Sequence, residues 1–120
     1  MVKEYDVYMQ ACPTRLVLDR LADKWAVLIL ARLDESPMRF NRLKREIEGV
    51  SQKALSQVLK KLERDGLVRR EVFATVPVTV EYSITPLGRT LSTTATALAR
   101  WAEENVEAVL AAQQQYDRSA

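Results

Sequence analysis

The chain has no histidine. Without an imidazole there is no histidine base for nucleophilic or acid–base chemistry, and no histidine metal ligand. One cysteine, Cys12, cannot build a thiolate metal cage and cannot close a disulfide within the chain, so cysteine usage points to the cytoplasm. A glycine-rich phosphate loop is also missing. Three glycines and four prolines leave little material for long loops, which favours a helix-rich fold. The longest apolar run, Ala26-Val27-Leu28-Ile29-Leu30-Ala31, falls far short of the roughly 20 residues a membrane span needs, so no membrane contact is expected. The start, Met1-Val2-Lys3-Glu4-Tyr5-Asp6, has no signal-peptide character. The carboxylate pair Glu103-Glu104 falls on an exposed helix, where solvation is the default. Together these absences argue against an enzyme and against a resident metal or cofactor.

What is present fits one modest core: 120 residues, 48% apolar and 28% charged. The expected unit is therefore a single domain spanning residues 1–120. A net charge of +2 does not by itself suggest nucleic acid, but its distribution does. Residues 1–35 carry five basic and six acidic groups, residues 36–70 ten and four, and residues 71–120 three and six. A block of +6 thus sits between flanks of −1 and −3. Duplex phosphate is attracted to that block and repelled by the flanks. The plain alternative is a lysine-rich solvated surface.

The basic block coincides with a helix–turn–helix pattern over about residues 40–65. Phe40, Leu43 and Ile47 share one helical face, and Glu48-Gly49-Val50 can close that helix. Ser51 is a good N-cap for the next helix, where Leu55, Val58, Leu59 and Leu62 form one apolar stripe. Gly66 after Asp65 ends it. Upstream, Pro13 suits the first turn of a helix to about Leu21, with Leu16, Val17, Leu18 and Leu21 as candidate core contacts. Asp23 can cap a helix from Lys24 to about Leu33 that is apolar almost all round, and so is expected at the domain centre. Met38-Arg39-Phe40 can form a minimal strand.

Downstream the period changes to two. Leu67–Phe73 and Val78–Ile84 read as a β-hairpin over about residues 67–84, joined by Ala74-Thr75-Val76-Pro77, with Val78, Val80, Tyr82 and Ile84 on one face. Thr85-Pro86 supplies a cap and first-turn proline for a last helix over about residues 86–112. Its apolar positions Leu87, Leu91, Leu98, Trp101 and Val109 exceed what a small domain can cover, so a second copy of the chain is the expected partner. The polar tail Gln113–Ala120 is expected to fray.

The ordered series Cys12-Pro13, Lys24-Trp25, Arg39-Phe40, Gly49-Val50-Ser51-Gln52-Lys53-Ala54-Leu55, Leu62-Glu63-Arg64-Asp65-Gly66-Leu67-Val68-Arg69-Arg70, Pro77, Val80, Glu81-Tyr82, Thr85, Gly88 and Leu91 resembles the HxlR family of bacterial transcriptional regulators, which are MarR-like. The likeness covers roughly residues 11–105. It departs at Ala22-Asp23, where the family usually has glycine. The resemblance implies a mostly α-helical winged helix-turn-helix with a small β-hairpin wing. It further implies a homodimer seam from the first and last helices, and double-stranded operator DNA with two-fold related half-sites as partner. In some family members the cysteine matching Cys12 senses oxidants, quinones or aldehydes.

On this reading Gln52, Lys53, Ser56 and Gln57 enter the major groove, where glutamine suits adenine and lysine guanine. Lys60 and Lys61 lie further along and suit phosphates. Asn41, Arg42 and Arg45 on the preceding helix, and Arg69, Arg70 and Thr75 on the wing, are further phosphate candidates. Leu16, Leu91, Leu98 and Trp101 are the seam candidates; Trp25 and Trp101 suit core or seam, or alternatively the wall of an aromatic-ligand pocket. Cys12, before a helix start and near Arg15, is a candidate thiolate sensor; its plain reading is a small buried hydrophobe. The expected function is a cytoplasmic, nucleoid-associated repressor on an inverted repeat, with an oxidant, electrophile or small aromatic as effector. The rival outside DNA binding is a winged helix that recognises protein instead.

Overall fold

The computed structural model describes residues 4–119, so the readings that involve Met1-Val2-Lys3 and Ala120 lie outside the described residues. In chain order the elements are α1 (Thr14–Leu21), α2 (Lys24–Glu35), β1 (Met38–Arg39), α3 (Phe40–Glu46), α4 (Gln52–Arg64), β2 (Val68–Phe73), β3 (Thr79–Ile84) and α5 (Pro86–Ser119). β2 and β3 form an antiparallel hairpin, and β1 adds to the other edge of β3 through Met38 opposite Tyr82. This is the architecture of a winged helix-turn-helix.

Local chemistry sets the boundaries. The Asp23 carboxylate accepts from the Trp25 backbone N–H at 2.8 Å, and the Ser51 hydroxyl accepts from that of Ala54 at 3.0 Å, so α2 and α4 each start on a satisfied cap. Between α3 and α4 the chain turns through Gly49 at φ 89°, a left-handed backbone that costs glycine little. Thr85 fastens the start of α5 twice: its hydroxyl accepts from the Gly88 N–H at 2.9 Å and donates to the Gly66 carbonyl at 2.6 Å. Ala22 has an ordinary right-handed backbone (φ −75°, ψ −11°), so the turn between α1 and α2 needs no glycine.

α2 runs through the core. Ala26, Ile29 and Leu30 are completely buried, and Leu43, Leu55, Leu59 and Leu62 close around them from α3 and α4. Each buried leucine or isoleucine among them contributes about 1.5–3 kcal/mol by leaving water. α5 lies along α2, where Ser92, fully buried, donates to the Asp34 carboxylate at 2.7 Å; Arg89 reaches the same oxygen at 3.3 Å.

Three expectations are corrected. Leu16, Val17 and Leu18 do not enter the core; they are 72%, 59% and 54% exposed. The apolar interior is already closed by α2–α5, and α1 is anchored at its C-terminal end, where Leu21 is half-buried and Arg20 pairs with Asp65 at 2.6 Å. The last helix does not stop near residue 112. It runs for 34 residues to Ser119, because Ala111-Ala112-Gln113-Gln114-Gln115 are good helix formers with no breaker among them. Val78 lies before β3 and is 63% exposed; of the expected face only Tyr82 and Ile84 pack against the core, and Val80 is half-buried.

Candidate nucleic-acid interface

α4 is held to the core by Leu55, Val58, Leu59 and Leu62. That anchorage leaves the opposite face free: Gln52, Lys53, Gln57, Lys60 and Lys61 are exposed and Ser56 is half-buried. The outer face therefore presents amide, hydroxyl and ammonium groups at helical spacing on a rigid support, the chemistry a base edge or a phosphate can meet.

The preceding helix is less uniform than the sequence suggests. Asn41, Arg42, Lys44 and Arg45 are all exposed. The Arg42 guanidinium donates to Glu46 at 3.1 Å, whereas Lys44 and Arg45 have no ion-pair partner among the described residues. On the wing, Arg69 reaches Glu71 at 3.9 Å and Arg70 has no such partner. The Thr75 hydroxyl is taken up inside the hairpin tip, donating to the Pro77 carbonyl at 2.7 Å and lying 3.2 Å from the Thr79 hydroxyl, so it shapes the tip. α4 and the wing converge on one notch lined by Ser56, Lys60, Glu63, Arg70 and Tyr82. Tyr82 was not among the sequence candidates, because alternation places it with Val80 and Ile84. Only the strand register sets it opposite Arg70.

The seam candidates divide. Leu16, Leu98 and Trp101 are 72%, 54% and 58% exposed, which excludes Trp101 from the core, whereas Leu91 is half-buried and packs on the core. Trp25 packs on the core too, with the Lys24 ammonium 4.5 Å from its ring centre.

Cys12 is half-exposed, and its Sγ lies 3.0 Å from the Thr14 hydroxyl. Hydrogen bonding from that hydroxyl, and then from the Thr14 backbone N–H, holds the thiol below its ordinary pKa, against desolvation and, less, the charge of Asp6. Arg15 is not among the groups that lower it; its guanidinium donates to the Val7 and Tyr8 carbonyls at 2.9 and 2.8 Å. Among the described residues no three metal-ligating side chains gather, and no helix is long and apolar enough to cross a membrane.

Comparison with known proteins agrees with this geometry. The model of the HxlR-like helix-turn-helix family matches residues 20–110. The uncharacterized HTH-type transcriptional regulator YtfH of Escherichia coli K12 is 46% identical over 110 residues, covering 92% of this chain and 87% of its own. The solved structure of a protein named transcriptional regulator YtfH, from Salmonella typhimurium, superposes with a TM-score of 0.85 at 43% identity, over 92% of this chain and 99% of that one. The redox regulator HypR in its oxidized form superposes with a TM-score of 0.73 at 37% identity, over 78% of this chain and 97% of that one. With its caps, turn and wing in place, the chain belongs to the HxlR-like helix-turn-helix family and is a DNA-binding transcriptional regulator of the winged helix-turn-helix type.

Proposed function

We propose that residues 1–120 form one winged helix-turn-helix unit that acts as a cytoplasmic, nucleoid-associated homodimer, binding an inverted-repeat operator as a repressor and releasing it when Cys12 is modified. The observation that carries the DNA contact is the outer face of α4, whose polar groups stand on four buried anchors. Gln52, Lys53, Ser56 and Gln57 at its front read bases, and Arg45, Lys60, Lys61 and Arg70 engage phosphates. Asn41 adds a neutral donor. Arg42 and Arg69 contribute after releasing Glu46 and Glu71.

The second copy is called for by apolar surface that this chain leaves open. α1 buries none of its residues, and α5 carries Leu98, Trp101, Val106, Val109 and Leu110 at 40–58% exposure. Two such surfaces cover one another in a symmetric pair.

Thiol control is supported by the lowered pKa of Cys12 and by the likeness to HypR, a protein named as a redox regulator. A peroxide converts the thiolate to a sulfenic acid and leaves as hydroxide; a second thiol then condenses with loss of water. Because each chain has one cysteine, that thiol comes from the other protomer or from a small molecule. The Arg20–Asp65 pair carries the change from α1 to the end of α4. A second reading, control by a small aromatic, has as its candidate place a cavity of about 500 Å³ between α2, the end of α3 and α5, whose apolar floor of Leu28, Ala31, Ile47 and Ala99 is rimmed by charged residues such as Arg32 and Glu103; neither Trp25 nor Trp101 lines it.

Sequencing of genomic fragments retained by the purified protein, with and without peroxide, tests the whole reading. A common two-fold motif lost on oxidation by the native protein, and kept by Cys12→Ser, is expected. Equal retention by both proteins under both conditions removes the thiol mechanism, and no enriched motif removes the operator.

A further inference from the structure

The notch between α4 and the wing has a cavity volume of about 310 Å³ and is lined by Ser56, Lys60, Glu63, Arg70 and Tyr82. Ser56, Lys60 and Glu63 are spaced by four and three residues, so they share one face of α4. Arg70 and Tyr82 are direct cross-strand partners. They lie on the sheet face that carries Val68, which is 2% exposed, so this face looks back at the helix. The Tyr82 ring is packed against the core, which fixes its position. Neither Lys60 nor Arg70 has an ion-pair partner among the described residues, whereas Arg69, on the opposite face, reaches Glu71. Two unpaired cations, a serine, a tyrosine and the Glu63 carboxylate therefore line one open cavity from separate elements.

We propose that this notch holds a single backbone phosphate of duplex DNA. Lys60 and Arg70 are its counter-charges, Tyr82 its neutral donor, and Glu63 the group that limits how tightly it is held. The proposal rests on the DNA-binding reading above and extends it to Tyr82 and Glu63. Charge-assisted hydrogen bonds from two directions fix a phosphate in position as well as in depth, so the notch sets the height of α4 above the strand while its front residues read bases. The Glu63 carboxylate leaves the notch one positive charge in excess instead of two, which keeps the phosphate exchangeable as the protein moves along DNA.

The test is fluorescence anisotropy with a labelled mixed-sequence duplex over a series of salt concentrations. Tyr82→Phe, which keeps the packed ring, is expected to weaken binding about five- to tenfold with the salt slope unchanged. Arg70→Gln lowers the log–log salt slope by about 0.9 for each bound protomer, about 1.8 for the dimer. Glu63→Gln, a change at an exposed residue, tightens binding several-fold. On a duplex carrying the enriched two-fold motif, one methylphosphonate moved along the strand weakens the native protein wherever a contacted phosphate is neutralised, and Arg70→Gln is indifferent at one of those positions in each half-site, which separates a DNA phosphate from a free phosphate ion. If Tyr82→Phe and Glu63→Gln both bind like the native protein while Lys53→Ala binds less, the notch is not on the DNA and the proposal falls alone. If the native protein shows no salt-dependent binding to any duplex, the DNA reading falls with it.

Discussion

Thr14 is the residue on which the chemistry of Cys12 turns. Its hydroxyl and backbone N–H stabilise the thiolate, so the thiol is deprotonated at a lower pH than an ordinary cysteine. Thr14→Ala is expected to return the pKa upward, reducing the thiolate fraction near neutral pH. Iodoacetamide alkylation followed by mass spectrometry then shows a slower rate at pH 7 and a rate–pH midpoint displaced to higher pH. An unchanged profile assigns the low pKa to some other cause. The sequence showed Cys12 ahead of a helix start, and that much was correct. It did not show which neighbour supplies the hydrogen bond, because a contact between residues two apart depends on the backbone turn between them. For the same reason, closeness of Arg15 in sequence does not make its guanidinium the stabilising group.

At the level of the element, caps were legible because each depends on a few adjacent residues. Ser51 is such a cap, and Ser51→Ala is expected to cost about 1 kcal/mol, lowering the melting temperature by about 4 °C. Because α4 starts at the residues proposed to face the groove, the same change is expected to weaken DNA binding as the first turn frays. Thermal denaturation beside an anisotropy titration checks both. Gly88 was noted in the sequence only as part of a familiar series, and its physical role needed the fold. A Cβ there would lie 2.0 Å from the Leu67 carbonyl oxygen, which is backbone and cannot rotate aside. Alanine gains about 1 kcal/mol of helix propensity over glycine, but overpacking at that distance costs more. Gly88→Ala is therefore expected to destabilise by about 2 kcal/mol in urea denaturation, and an increase in stability contradicts the packing described. The notch, too, was invisible in sequence. Alternation identified the inward face of β3, but only register brings Tyr82 beside Arg70.

For the whole molecule, the radius of gyration is 17.5 Å, against about 14 Å for a compact chain of this length. The excess arises from α5, whose 34 residues span about 51 Å and whose buried residues all lie in its first third. Sequence periodicity identified the surplus apolar face of this helix. It could not give its end, since helix propensity declines gradually where no glycine or proline stops it. It also misjudged α1, because a stripe of leucines reads alike whether it faces its own core or another chain. Leu98→Glu with Trp101→Glu is expected to yield a folded monomer in sedimentation velocity, with duplex affinity reduced at least tenfold through loss of the second binding head. A dimer that survives both charges places the seam elsewhere.

In the proposed dimer the length of α5 would act as a ruler. Only its first third is fixed to the core, through Ser92, Asp34 and Thr85. The remainder fixes how far apart two bodies are carried when their rods lie together. Shortening the rod by one turn rotates and draws in each body, so the preferred spacer between half-sites should change by a fraction of a DNA turn, without any change in the bases either head selects.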